Sequence, residues 1–281
     1  MALVPPFFLD CVTAIGFPED DSRIDFSATG FLYGRFAKPA TAERPSMYNV
    51  CLLTNRHVFE GERLAILRFN PAAGTPAKLY TLPLIDNAGK QLWYVPQDDS
   101  IDVAAVPIDV QKLNSEGMQL AFFHSDQHVL DTAGAREQGL TEGDGVFVLG
   151  FPLGDTGGER NYVVVREGVV ARIRDTLAGS TQTFLIDASV FPGNSGGPVV
   201  TRPEAMAISG TKPYAKASLI GMVSGYVPYN DIAYSRQTNR RRVIFEENTG
   251  LAIVVPVDRI IEVVESVFGQ ETAMHQPQSQ P

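Results

Sequence analysis

Short apolar runs rich in β-branched and aromatic residues alternate along this chain with clusters of Gly, Pro, Asn and Asp. Branched and aromatic side chains pack well on a pleated surface, and the punctuating residues supply turn conformations, so the pattern predicts strands and turns. Runs near 9–15, 29–36, 47–54, 62–69, 77–83 and 102–107 predict one set of six strands, and runs near 145–150, 162–173, 182–188, 197–201, 217–225 and 250–255 a second set of six. Residues 108–142 join the two sets and include a polar stretch from Asp131 to Glu142. Insertions at 202–216 and 227–249 interrupt the second set and read as loops. The latter carries Arg236, Arg240, Arg241 and Arg242, which fits a solvated loop or one that gates a site or docks an acidic partner. Val257, Ile260, Ile261, Val264 and Phe268 recur at helical spacing, so a C-terminal α-helix is expected, with Gly269 as its stop. The Gln-, Pro- and Ser-rich stretch 270–281 is expected to be a disordered tail. The predicted class is all-β with one terminal helix.

Composition narrows the function classes. The chain has 281 residues, 44% hydrophobic and 20% charged, which is enough for a sizeable core in one unit or two small ones. Its net charge of −9 argues against a nucleic-acid partner, because phosphate binding needs a basic surface. Acidic substrates are disfavoured for the same reason. No run approaches the roughly 20 apolar residues needed to span a bilayer, and the first ten residues lack the basic region of a secretory leader. A cytoplasmic protein with no membrane partner is expected. Cys11 and Cys51 are too few for a disulfide framework; lying in apolar runs, they are expected to be free thiols packed as small hydrophobes.

The candidate chemistry centres on Phe191-Pro192-Gly193-Asn194-Ser195-Gly196-Gly197-Pro198. A serine hydroxyl becomes a nucleophile only when a base takes its proton and when N–H donors await the oxyanion it generates. Gly193 can adopt positive φ, which lets the N–H groups of Gly193 and Ser195 point into one cavity. The same residues are also good turn chemistry, so the run alone leaves both readings open. Of four histidines, His57 follows the apolar run Val50–Thr54 and is the candidate base, with a structural role as the alternative; His275 lies in the tail, and His124 and His128 in a connecting segment read as surface. Asp102 stands directly before an apolar strand, where a carboxylate seldom stays unless paired. Asp98 and Asp99 read as a solvated turn, and Asp109 as the strand's far end.

In that chain order, Asn55-Arg56-His57-Val58, Asp102-Val103-Ala104 and Asp187-Ala188-Ser189-Val190-Phe191-Pro192-Gly193-Asn194-Ser195-Gly196-Gly197-Pro198 resemble the trypsin-like serine proteases, in particular the bacterial Do/HtrA-type branch. Thr29-Gly30-Phe31-Leu32, the stretch from Gly143 to Gly154, Arg166–Val170 and Leu219–Ser224 extend the resemblance over about residues 8–268.

The resemblance implies a chymotrypsin-like pair of six-stranded antiparallel β-barrels. Residues 1–125 would hold the first barrel with His57 and Asp102, and 126–269 the second with Ser195 and the helix. It implies a His57–Asp102–Ser195 triad, an oxyanion hole at Gly193 and Ser195, and a substrate pocket at Val190, Ser224, Gly225 and Tyr226. Protein or peptide substrates are implied, with no cofactor and no metal. Ser189-Val190 supplies no carboxylate for a basic P1 residue, so small or medium apolar P1 residues are expected, with Tyr226 narrowing the mouth. That branch usually continues with a PDZ-like domain; none is expected after the helix here, a departure from its usual layout. The competing reading is a protease-fold peptide-binding or regulatory protein with slow or absent turnover.

Overall fold

The computed structural model describes residues 3–20, 23–42, 44–71, 75–206 and 211–274, with side chains up to Gly269. A short helix, α1 (Pro6–Asp10), precedes β1 (Val12–Pro18), β2 (Ile24–Lys38) and β3 (Met47–Thr54). A one-turn helix α2 (Arg56–Phe59) leads to β4 (Leu64–Phe69), β5 (Lys78–Pro83) and β6 (Ala104–Pro107). The connection to the second half holds α3 (Val110–Ser115), β7 (Phe123–His124) and α4 (Thr132–Gln138). There follow β8 (Gly145–Gly150), a 3₁₀ turn at Pro152–Gly154, β9 (Val164–Arg172), α5 (Arg174–Leu177), β10 (Phe184–Asp187), β11 (Pro198–Thr201), β12 (Leu219–Tyr234), β13 (Arg241–Pro256) and α6 (Val257–Met274).

The second half closes as expected. Strands β10-β13-β12-β11-β8-β9 form a barrel, sealed by the β9–β10 pairing of Asp187 with Val169. The first half differs from the six-stranded barrel read from the sequence. It is a seven-stranded sheet ordered β5-β4-β1-β2-β3-β6, with β7 added in parallel to β2. Because β1 begins opposite Phe31, the β2 edge beyond it is open, and β7 covers Tyr33 and Gly34. No continuous ladder joins β5 to β6; the chain crosses that gap through single bridges, Ile85 with Gln91 and Tyr94 with Ala105. The sheet curls into a half-barrel, consistent with a chymotrypsin-like fold in which only one barrel is fully closed.

Three cores result. Ile15, Leu52, Leu67 and Trp93 fill the first sheet's concave side, and Val148, Phe184, Ile186 and Val254 fill the closed barrel. The third lies between the halves: Phe31, Leu53, Phe123, Leu149, Phe151 and Met222 meet α6 through Val257, Ile260 and Val264. Arg35 anchors the outer side of α6 by a two-pronged bond to Glu265, at 2.7 and 2.8 Å.

Three expectations need correction. The 227–249 insertion is not a loop: β12 and β13 simply continue, pairing from Pro228–Asn248 to Tyr234–Arg241 as a ribbon beyond the barrel. Gly269 does not stop α6, which runs to Met274, so the expected tail begins with helix; residues 275–281, His275 included, lie outside the described residues. His124 and His128 are half-buried rather than fully at the surface. They stack on each other at 4.7 Å and against Tyr48, Phe7 and Phe8. Cys11 and Cys51 are buried and not disulfide-bonded, as expected.

Burial first, then the nearby His124 and Lys216, push the His128 pKa down to about 4. The folded state thus holds a neutral imidazole where the unfolded chain takes up a proton near its ordinary value of 6.5. This contribution to stability is complete above pH 6.5 and is lost as the pH falls toward 4. Urea unfolding should show a drop in midpoint between pH 7 and pH 5, and His128→Gln should flatten that drop.

Candidate active site

His57 owes its position to the end of β3. Thr54 pairs with Ala104 of β6, so the residues just outside that pairing, Asn55–His57 and Asp102, lie side by side. Asn55 Nδ2 donates to the Asp102 carbonyl at 2.8 Å, and the His57 N–H donates to Asp102 Oδ1 at 3.1 Å. The other carboxylate oxygen, Oδ2, lies 2.7 Å from His57 Nδ1. This contact fixes the tautomer: with Nδ1 carrying the proton toward Asp102, Nε2 is left unprotonated and able to accept a proton. The hydrogen bond to Asp102 raises the His57 pKa, partly opposed by burial. Asp99 belongs to a different pair, bonded to Arg56 at 2.9 Å, and Asp98 accepts from Ser100.

Ser195 sits on the loop between β10 and β11, which folds back on itself. Phe191 N–H donates to Asn194 Oδ1 at 3.0 Å, while Asn194 N–H returns a bond to the Phe191 carbonyl at 2.9 Å. The Gly196 and Gly197 N–H groups go to Val223 and Asn194 carbonyls at 2.9 and 2.8 Å. The N–H groups of Gly193 and Ser195 have no acceptor among the described residues. Gly193 has φ +96°, and a Cβ there would run into the Phe151 carbonyl oxygen; only glycine fits. The Pro192 carbonyl, which could otherwise turn toward those donors, accepts from Leu153 N–H at 2.7 Å. Leu153 is one of two non-glycine residues with positive φ among the described residues, at 56°, and its side chain is 75% exposed.

Thr29 of β2 joins this loop to the first sheet. Its N–H donates to the Ser195 carbonyl at 2.9 Å, and its hydroxyl donates to the Gly193 carbonyl at 2.6 Å while accepting from Phe151 N–H at 3.0 Å. Its own carbonyl accepts from Thr54 Oγ1 at 2.8 Å. Gly196, φ +83°, packs so closely on Thr29 and Thr54 that a Cβ would overlap both. Ser195 is thereby held beside the strand that leads into Asn55–His57. Ser195 Oγ makes no hydrogen bond to the His57 ring among the described residues; such bonds are often long until substrate is bound.

Beside Ser195 opens a cavity of about 360 Å³, walled by Val190, Phe191, Val223, Gly225 and Tyr226. Ser224 is not part of that lining; its hydroxyl bonds the Ile253 carbonyl at 3.4 Å. Pro228 and Glu246 of the extended ribbon complete the wall, and Glu246 Oε1 accepts from Tyr226 OH at 2.7 Å. Sequence reasoning missed Glu246 because it lies in the stretch taken for a loop, and missed the roles of Thr29 and Leu153 because both act through the backbone. The Pro-Leu-Gly turn after β8 was the one available signal for Leu153. Among the described residues, no cluster of three or more His, Cys, Asp or Glu could hold a metal ion.

Residues 28–206, well over half of the chain, match the trypsin-like peptidase domain. The chain belongs to that family, which gives it a serine-protease fold and points to a peptidase acting on proteins or peptides. No curated protein matches it significantly.

Thr29→Val keeps the shape of the buried side chain but leaves the Gly193 carbonyl and the Phe151 N–H unpaired. Each orphaned buried group costs about 1–3 kcal/mol, so urea unfolding should show a loss of that order, while Thr29→Ser should stay near the parent.

Proposed function

We propose that this protein is a serine endopeptidase that cleaves by acyl transfer. His57 Nε2 removes the Ser195 proton as Oγ attacks the scissile carbonyl, and Asp102 holds the ring and stabilises the imidazolium. The carbonyl oxygen, now anionic, is received by the Gly193 and Ser195 N–H groups. The protonated His57 then gives its proton to the leaving amine, and water hydrolyses the acyl-enzyme by the same sequence in reverse roles. The observation that carries this reading is a pair of unsatisfied N–H donors flanking a nucleophile on one side of the cleft and an Asp-bound histidine on the other.

Substrate is taken as an added strand. Strand β11 pairs with β12 only from Leu219 to Met222, so the edge of β12 beyond Val223 is available to an extended peptide. The P1 side chain enters the cavity walled by Val190 and Val223. These apolar walls, with Tyr226 tethered across them, favour small or medium apolar residues. The likeness to the Do/HtrA-type branch supports the same choice. A reducing, cytoplasmic location fits two buried thiols that form no disulfide.

A fluorophosphonate probe should label the protein, and Ser195→Ala should abolish both labelling and peptide cleavage, a loss of about 10⁶-fold in turnover. Peptide binding without labelling would favour the alternative of an inactive peptide-binding protein. Asp102→Asn should reduce turnover by about 10⁴-fold and move the acidic limb of the pH–rate profile downward, because the hydrogen bond that raises the His57 pKa is lost. Asp99→Asn should do neither. In a P1-varied library, Tyr226→Gly should extend acceptance toward Phe and Tyr; a parent preference for Arg or Lys would overturn the pocket assignment.

A further inference from the structure

The ribbon formed by the outer halves of β12 and β13 is the least satisfied part of this molecule. It carries Tyr229, Tyr234, Val243, Ile244 and Phe245 at 47–58% exposure. A two-stranded ribbon is at best marginally stable alone, and a strand with an open edge is a template for further pairing. Strand β13 has such an edge. Its neighbour β10 meets it only from Leu251 to Val254, so residues 241–247 are paired with β12 on one side and with nothing on the other.

The sequence of that open edge is Arg241-Arg242-Val243-Ile244-Phe245-Glu246-Glu247. Read against itself in antiparallel register, it is self-complementary. With Ile244 opposite Ile244 of a second copy, Val243 meets Phe245, Arg242 meets Glu246, and Arg241 meets Glu247, each twice across the twofold axis. Opposite charges facing each other on neighbouring strands attract, and apolar branched–aromatic pairs add packing. The outer edge of β12 has no such property: it contains Pro228, which lacks a donor, and Asp231 as its one charge between 228 and 234. Copies with a net charge of −9 repel at long range, so contact between them needs local opposite charges of this kind.

We propose that the protein dimerises through the 241–247 edge of β13, joining two ribbons into one four-stranded antiparallel sheet. The surface is isologous, as a twofold contact requires. It also reaches the cleft, because Glu246 both pairs across the dimer and holds Tyr226 at the wall of the Ser195 cavity. The inference does not depend on Ser195 being catalytic.

Sedimentation velocity over a wide concentration range tests it. The parent should be a dimer whose dissociation constant rises with salt. R241E/R242E and E246R/E247R each place like charges opposite one another, and each should weaken the dimer by about 100-fold or more. Mixing the two variants places unlike charges opposite again and should restore dimers at near-parental affinity, which also shows that both are folded. I244K, at the twofold axis on an exposed position, should give a monomer with the parent's thermal midpoint. A monomeric parent at all concentrations would overturn the proposal, as would charge-reversed variants that remain dimers. So would a mixture that fails to associate, or an edge that proves to bind acidic polypeptides through its arginines alone.

Discussion

One buried threonine holds the two halves of this protein in working relation. Thr29 is fully buried and spends its N–H, its hydroxyl and its carbonyl on three separate segments: the Ser195 loop, the turn after β8, and Thr54 at the end of β3. Each bond is a modest contribution alone. Together they mean that a shift of Ser195 or Gly193 relative to the first sheet must break a buried hydrogen bond, which costs more than making one yields. The apolar junction around Phe31, Phe151 and Met222 keeps water from replacing those bonds. Position at the cleft is therefore set by buried backbone polarity, with α6 closing the junction from behind.

The same logic operates inside the Ser195 loop. Asn194, buried to 1% exposure, ties the loop to Phe191 in both directions with an amide instead of a charge. No ion needs desolvating there, so the loop's shape does not depend on a titrating group. The ionisable pair at the site, His57 with Asp102, is partly exposed and draws its directionality from geometry: Nδ1 and the backbone N–H of one residue both face the carboxylate of the other. The N–H groups of Gly193 and Ser195 have no acceptor among the described residues, whereas those of Asn194, Gly196 and Gly197 are bonded within the fold. The Leu153 N–H keeps the Pro192 carbonyl out of their way, at the cost of a left-handed φ on an exposed leucine.

The ribbon shows how a barrel can be extended without disturbing its core. Strands β12 and β13 keep their pairing past Ala252 and Tyr226, with register shifts absorbing the change of twist, and leave the barrel as a two-stranded arm. Its base contributes Pro228 and Glu246 to the cavity, and its outer edge presents a basic-apolar-acidic sequence to solvent. Whatever engages that edge acts at the cavity wall itself, through Glu246 and its bond to Tyr226.

By itself the sequence determined what depends on local chemistry: strand-forming runs, a helix from the spacing of Val257, Ile260 and Val264, a Gly-framed serine, and a carboxylate at the mouth of a buried strand. Those features sufficed to bring out the family. They could not show which strands close a barrel, because closure depends on whether the ends of β5 and β6 meet, a long-range matter with no local signature. They could not distinguish a loop from a ribbon at 227–249, where a polar, Arg-rich strand exposed on both faces lacks the alternation that burial of one face imposes. His124 and His128 looked like surface residues since their partial burial comes from Tyr48 of β3 and from Phe7 and Phe8 of α1, residues far from them in the sequence. Thr29, Leu153 and Glu246 gained their roles from neighbours more than 35 residues or a strand crossing away, and those neighbours exist only once the chain has folded.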